Sequence, residues 1–309
     1  MTTTSELDSF GPWIDQVTSA GDVPALFRAA VPNPAAAELV LKVPRDIPRR
    51  DVTPGMDLYD HLLVLAGRRL RVLSRCAGPD GATVAPGFTI QEIPVDRVAA
   101  VHDTVNLLAG ELTVTARDGS SLTLPYNGSG RDQLQRLIDV LLAGVSGAGP
   151  SRAGAALIRA GRFLAQGPAA IVIGREDQGL LGDLRDLARH RPQLRPWVGH
   201  GRRRVRGGLS PITLQATVLA EDGEVLEVLG RHRWLLTGRQ PVHSSGRLMV
   251  PFEAIDAVTV HRHDRWAGVW VGRLRTGQAV IDIPVPEGSP AHGVFDAAAR
   301  ETAGSPYLG

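Results

Sequence analysis

Covalent catalysis requires a nucleophilic side chain, and besides its serines the chain offers a single cysteine, Cys76. Cys76 continues the alternation of Leu70 and Val72 along a predicted strand, which indicates an inward-facing and unreactive thiol. No Gly-x-Ser-x-Gly segment occurs, and Ser129 precedes a predicted helix, where its side chain is expected to act as a cap. The sequence therefore does not favour nucleophilic catalysis.

Acid–base catalysis would need a pair of carboxylates. Glu92 and Asp96 in one part of the chain, and Glu253 and Asp256 in another, lie beside predicted strands at equivalent places. Such groups could transfer protons if the fold brought two of them together. Solvated strand ends explain the four carboxylates more simply, so we expect no enzyme. A small orphan enzyme is the alternative from a different class of function.

Metal binding would have to use histidine. His261 and His263 are two residues apart, so they share one face of a predicted strand. A third ligand would have to be Asp264 or His243, and without a defined third ligand surface histidines are the simpler interpretation. The sequence also lacks a Walker-type loop and a dinucleotide-binding glycine motif. We therefore expect neither a metal nor a cofactor.

Positive charge is concentrated in one part of the chain. The basic residues are 33 arginines and one lysine, Lys42, a ratio typical of codon bias, so arginine abundance alone says little. Residues 145–220, however, hold twelve arginines and four acids, a net formal charge of +8, whereas the whole chain carries +2. The remainder therefore sums to −6, and the segment 145–220 is expected to carry any affinity for anions.

The arginines of this segment form two groups. One lies in the glycine-flanked run Gly199–Gly208, and the other lies on one side of a predicted helix over Ser151–Ala165. The predicted anion-binding residues are Arg152, Arg159, Arg162, Arg202, Arg203, Arg204 and Arg206. An anionic membrane surface could attract them. Nucleic acid is less favoured, because no aromatic residue interleaves the run and Trp197 is the nearest. A solvated loop and a helix packed on a domain are the plain alternatives.

The elements that must position these residues occur twice. Residues 60–144 and 223–304 share a pattern of short alternating strands, Asp-Gly or Thr-Gly turns, a proline near the end and one closing helix. In the first copy the helix carries an apolar stripe at helical spacing, formed by Leu134, Leu137, Ile138, Leu141 and Leu142. The repeat predicts an α+β protein with two small β-rich domains.

The predicted organisation has four parts. Residues 1–50 form an irregular, partly helical lead-in, and 51–145 form the first domain. Residues 146–207 form a helical, arginine-rich connecting segment, and 208–304 form the second domain. A second helix is predicted over Gly179–Arg191 in the connecting segment.

Both copies resemble the bacterial pleckstrin-homology-like (PH-like) domains. The resemblance is carried by Gly67–Leu73, by the Ile-Pro-x-x-x-Val segment from Ile93 to Val98, and by Gly110–Val114. It covers about residues 57–144 well and 212–303 more loosely, because Trp266 and Trp270 depart from it. It implies two β-barrel or sandwich domains, each closed by a C-terminal helix. It also implies a headgroup-binding role for Arg68, Arg69 and Arg231, which lie near the hairpins that bind phosphoinositides in eukaryotic relatives.

The expected function is therefore non-catalytic binding or scaffolding. A protein partner is favoured, an anionic membrane surface and self-association are open, and nucleic acid bound through the arginine-rich segment is the less favoured alternative. No apolar run approaches the roughly 20 residues of a membrane-spanning helix, and the first residues lack the features of a signal peptide. We expect a cytoplasmic protein, with peripheral attachment to a membrane as the open alternative.

Overall fold

The computed structural model describes residues 6–53, 55–78, 83–145, 147–167, 170–205, 212–238 and 243–303. It is a mixed α+β protein. The helices are α1 (Glu6–Ser9), α2 (Arg131–Val145), α3 (Arg152–Leu164), α4 (Gln178–His190) and α5 (Pro290–Ala303). The strands are β1 (Asp15–Gln16), β2 (Leu39–Pro44), β3 (Tyr59–Ala66), β4 (Arg69–Ala77), β5 (Thr83–Pro94), β6 (Val98–Asn106), β7 (Ala109–Ala116), β8 (Ser121–Asn127), β9 (Ile171–Val172), β10 (Arg195–His200), β11 (Arg203–Val205), β12 (Ile212–Leu214), β13 (Thr217–Glu221), β14 (Val225–Gly230), β15 (Leu235–Thr237), β16 (Ser244–Pro251), β17 (Ala257–Arg262), β18 (Val269–Thr276) and β19 (Ala279–Pro286).

The described residues divide into two compact units. Unit 1 draws on Met1–Arg97, Leu108–Glu111 and Leu124–Gly144, and unit 2 draws on Val98–Leu107, Leu112–Thr123 and Val145–Gly309. The four-part organisation expected from the sequence stays a prediction beside this division. Among the described residues, no helix is long and apolar enough to cross a membrane.

Unit 1 is built on the antiparallel sheet β1-β2-β3-β4-β5. β3 and β4 are joined by the two-residue turn Gly67-Arg68, and both residues have positive φ angles of 55° and 59°. This backbone matches the right-handed twist of the paired strands and places Arg68 at an exposed tip. The predicted stripe of α2 is confirmed, since all five of its apolar side chains are buried. Ser129 is not its cap: Asn127 accepts a hydrogen bond from the Ser129 backbone N–H, and a 3₁₀ turn leads into the helix.

Six neighbouring strands of unit 2 follow each other in one sheet in the order β6-β16-β14-β13-β10-β9. β6, which belongs to the first sequence repeat, pairs antiparallel with β16 of the second, from Ser244 opposite Asn106 to Met249 opposite Val101. Two three-stranded sheets accompany it, β11-β12-β15 and β17-β18-β19. No sheet of the described residues closes into a barrel.

The order of elements repeats along the chain. β2 to β5, a 3₁₀ turn (Val95–Arg97), β6 to β8 and α2 are followed later by β10, β13, β14, β16, a 3₁₀ turn (Phe252–Ala254), β17 to β19 and α5. When β11, β12 and β15 are set apart, each stretch has four strands, a turn after proline, three strands and a helix. The first stretch begins one strand before residue 60 and the second begins two of these strands before residue 223, the starts predicted from the sequence.

The connecting segment packs into unit 2 rather than extending from it. Its two predicted helices are confirmed as α3 and α4, with the side chain of Ser151 capping α3. α3 lies close to the backbone of its neighbours because it presents glycine there. A Cβ on Gly154 would lie 2.9 Å from Cβ of Phe252, and one on Gly161 would lie 2.6 Å from Cε2 of Trp197. The expected basic loop is partly a strand, since Arg203–Val205 pairs with Ile212–Leu214.

Candidate functional site

Unit 1 contains an open groove with a volume of about 700 Å³. Its apolar lining includes Phe10, Trp13, Ile47, Leu108 and Tyr126, together with four prolines at positions 12, 44, 48 and 125. Trp13 is 58% exposed and Leu108 is 64% exposed. The volume lies in the range of natural ligand sites, and the mouth is lined by large apolar side chains that face water.

Two glycines shape the floor of the groove. A Cβ on Gly110 would lie 2.5 Å from Cζ of Tyr126, so the tyrosine ring can cross the backbone of β7 only because residue 110 has no side chain. In the same way, a Cβ on Gly11 would lie 2.6 Å from Cε3 of Trp13. The missing side chains at these two glycines therefore allow both aromatic rings to pack against backbone.

The polar rim of the groove is close to neutral. Arg45 donates a hydrogen bond to the backbone oxygen of Asp57 at 3.0 Å, and its Nε lies 3.9 Å from Oδ1 of Asp60. Asp60 also accepts a hydrogen bond from Arg75 at 2.9 Å. Arg49 and Asp46 complete the charged lining, so two arginines face two aspartates.

The candidate catalytic carboxylates have structural partners. Glu92 lies 3.8 Å from Arg69 Nη1, and Glu253 accepts hydrogen bonds from the backbone N–H of Gly147 and Ala148 at 2.9 and 3.1 Å. Asp256 accepts from Arg117 at 2.9 Å and from the backbone of Gly277. Asp96 is exposed at the 3₁₀ turn of unit 1. These contacts hold turns and strand ends.

The candidates for metal binding and for nucleophilic catalysis were the histidine pair and Cys76. His261 and His263 lie on the β17–β18 hairpin, and no group of three or more metal-ligating side chains occurs in the described part of the chain. Cys76 is half-exposed, so the prediction of a buried thiol is wrong. The pairing of β4 with β5 shifts register between Arg75 and Ala77, and this irregularity interrupts the alternation on which the prediction relied.

Three of the predicted anion-binding arginines form ion pairs with acidic side chains. Arg202 donates to the fully buried carboxylate of Asp177 through its backbone N–H, Nε and Nη2, at 3.1, 2.9 and 2.6 Å. Arg162 donates to the fully buried Glu221 at 2.8 and 3.1 Å. Arg159 donates to Glu301 at 3.0 Å.

The remaining predicted residues are placed as follows. Arg203 and Arg204 are exposed on β11, Arg152 is exposed at the start of α3, and Arg206 lies outside the described residues. Arg68 and Arg69 are exposed in unit 1, where Arg68 donates to the backbone oxygen of Gly144 at 2.7 Å. Arg231 is buried in unit 2 and donates to the backbone oxygen of Ser244 at 2.8 Å.

Sequence reasoning did not identify the groove. The sequence predicts only an irregular, partly helical lead-in over residues 1–50, which contains Trp13 and the prolines at positions 12, 44 and 48. The available signal was the combination of the two, because prolines disfavour the regular helix or strand that would cover an aromatic side chain. It also did not identify the buried network in which Glu227 accepts from Arg247 at 2.5 and 2.6 Å and from Arg191.

The chain matches no protein-family model, no curated protein and no solved structure. The resemblance to PH-like domains therefore stays a prediction from the sequence.

Proposed function

We propose that this protein is a non-catalytic binding protein, and that the groove of unit 1 holds an extended, apolar segment of a protein partner. The observation that carries the proposal is Trp13, whose ring is 58% exposed at a groove of about 700 Å³. Burying a large aromatic side chain stabilises a complex strongly, and tryptophan is enriched among the residues that dominate protein interfaces.

The character of the groove favours a peptide over a charged small molecule. Its two arginines and two aspartates balance, and Asp60 is already paired with Arg75. The proline walls are rigid, so little conformational freedom is lost when a ligand binds. An extended apolar segment can lay side chains against Trp13 and Leu108, the large apolar side chains that the groove exposes.

We further propose that each repeat is a PH-like module within one scaffold protein. The succession of four strands, a turn, three strands and a closing helix, present twice, supports the resemblance drawn from the sequence. Two features depart from a simple tandem: the sheet β11-β12-β15 is additional in the second repeat, and β6 pairs with β16. Because one fold serves many functions, the binding role rests on the groove.

Selection of peptides from a random displayed library on the full chain tests the groove. Affinities of the selected peptides are then measured by calorimetry for the wild type and for Trp13→Ala. We expect this substitution to weaken binding by about 30-fold or more, which corresponds to the ~2 kcal/mol typical of an interface hot spot. Gly110→Val should also weaken binding, because the new side chain displaces the ring of Tyr126.

The matched control is Phe163→Ala. Phe163 is 74% exposed on α3 of unit 2, so this variant removes an aromatic side chain that is even more exposed than Trp13 and lies outside the groove. Its affinity for the peptides should equal that of the wild type. Equal losses in Trp13→Ala and Phe163→Ala, or selected peptides that bind Trp13→Ala as tightly as the wild type, would remove the groove as the binding site.

A further inference from the structure

We infer that a second surface, on unit 2, binds single-stranded nucleic acid. It comprises Arg203, Arg204, Arg233, Arg265 and Trp266, and we call it the arginine–tryptophan surface. The inference is independent of the peptide groove, which belongs to unit 1.

The fold brings these residues together through one small apolar cluster. Val205, Ile212, Leu214 and Val269 form its buried part, and Leu235 and Trp266 pack against them. Each arginine is a close sequence neighbour of a cluster member: Arg203 and Arg204 precede Val205, Arg233 precedes Leu235 by two residues, and Arg265 precedes Trp266. Residues from three distant parts of the chain therefore surround a single cluster.

The four arginines are free to meet a ligand. All four are exposed, and none of them forms an ion pair with another described residue. Arg202, their neighbour in sequence, differs because the buried Asp177 holds its guanidinium. Asp264, the acidic side chain in the same turn as Arg265, leaves the surface net positive.

The tryptophan adds a second kind of contact. The guanidinium of Arg265 lies 5.3 Å from the centre of the Trp266 ring, and the ring is half-buried against the cluster, which fixes its position. Such a ring suits a nucleic-acid strand, because an unpaired base can replace the guanidinium of Arg265 on the ring while the arginines contact phosphates. A duplex keeps its bases stacked on each other and gains only the phosphate contacts.

An anionic membrane is the less favoured partner for this surface. Insertion among lipid headgroups needs protruding apolar or aromatic side chains. None of the large apolar side chains found exposed in the described residues belongs to the arginine–tryptophan surface. Its charge is therefore not accompanied by anything that would enter a bilayer.

Fluorescence anisotropy of a labelled oligothymidylate, titrated with the full chain at several salt concentrations, tests the inference. In the variant with Arg203, Arg204, Arg233 and Arg265 changed to serine, we expect the slope of log affinity against log salt to fall by about 3, since each phosphate contact with a single strand contributes about 0.7. Trp266→Leu should weaken binding by about 10-fold and leave that slope unchanged, because it removes stacking and no charge.

The matched control changes Arg152, Arg175, Arg185 and Arg195 to serine. These four arginines of unit 2 are also exposed and also lack an ion pair among the described residues, so the change in net charge is the same. The control should keep wild-type affinity and slope, and so should Trp13→Ala. Circular dichroism verifies that each variant is folded. If Trp266→Leu does not fold, Arg265→Ser provides a milder change at the same surface.

Three results would overturn the inference. The first is an equal loss of affinity in the two fourfold variants, which would mean that net charge alone attracts the strand. The second is wild-type affinity for the oligonucleotide in both single variants, Trp266→Leu and Arg265→Ser. The third is sedimentation of the wild type with phosphatidylserine vesicles without any binding of the oligonucleotide, which would assign the surface to a membrane.

Discussion

Acid should destabilise unit 2 through one histidine. His200 ends β10 and is 3% exposed. Its Nδ1 lies 3.1 Å from the backbone oxygen of Gly201, which can only accept, so Nδ1 carries the proton. Its Nε2 is buried and has no hydrogen-bond partner among the described residues. Burial lowers the pKa of His200 from 6.5 to about 4, with a further lowering by Arg203 that is opposed by Gly201 and Asp177.

The sign and size of the effect follow from proton linkage. The unfolded chain binds a proton at His200 near pH 6.5, whereas the folded protein binds it only near pH 4. The stability contributed by keeping the ring neutral is therefore complete above pH 6.5 and is lost as the pH falls toward the folded pKa. At about 1.36 kcal/mol for each pKa unit, the loss amounts to about 2 kcal/mol at pH 5 and about 3 kcal/mol at pH 4.

The assay is urea unfolding followed by tryptophan fluorescence between pH 7.5 and 4. Four of the five tryptophans, at positions 197, 234, 266 and 270, belong to unit 2, so the signal reports mainly on that unit. We compare the wild type with His200→Gln, which cannot titrate. The stability difference between the two should change by about 2 kcal/mol between pH 7.5 and pH 5. His190→Gln, an exposed histidine of α4, should parallel the wild type. A wild-type-minus-variant difference that stays constant with pH would refute the reasoning.

Two further substitutions test the packing of unit 2. Gly161→Ala places a methyl group 2.6 Å from Cε2 of Trp197, so it should destabilise the protein by about 1–3 kcal/mol. In the control Gly182→Ala on α4 the added Cβ meets open space, so this variant should raise the melting temperature slightly. The reverse order in calorimetry would contradict the close contact between α3 and β10. Glu227→Gln breaks the network that the fully buried Glu227 forms with Arg191 and Arg247, and it should cost about 3–5 kcal/mol in urea unfolding. Asp282→Asn, in the exposed pair with Arg273, should cost less than about 1 kcal/mol. Similar losses in the two variants would show that burial is not what makes the network strong.

The parts of the fold that the sequence predicts are those set by local patterns. The stripe from Leu134 to Leu142 is buried along its whole length, because five apolar side chains at helical spacing have one face to present. The predicted Thr-Gly turn joins β18 and β19, and Gly277 has a φ of 63° there, which suits glycine. In each case the residues that decide the structure are neighbours in the chain.

The failures have a different cause. The alternation of β4 holds only up to the register shift between Arg75 and Ala77, so it does not predict the burial of Cys76. That shift depends on the partner strand β5. The groove depends on Trp13 and Tyr126, which are more than one hundred residues apart. Each of these features is decided by a segment remote in sequence, and a pattern read within a short window cannot contain it.

Charge shows the same dependence on remote segments. Residues 145–220 carry a net charge of +8, yet Arg159, Arg162 and Arg191 are paired with acids that lie beyond residue 220. Glu221, Asp222, Glu227 and Glu301 therefore offset about half of the segment's charge. A count of charges along the chain overstates the electrostatic potential around the segment. What distinguishes an arginine available to a ligand is the absence of such a partner, which holds for Arg203 and Arg204 among the described residues and not for Arg202. Adjacent arginines of one run therefore differ: Arg202 is held by Asp177 at the corner between β10 and β11, whereas Arg203 and Arg204 are exposed on β11, whose Val205 shares an apolar cluster with Trp266.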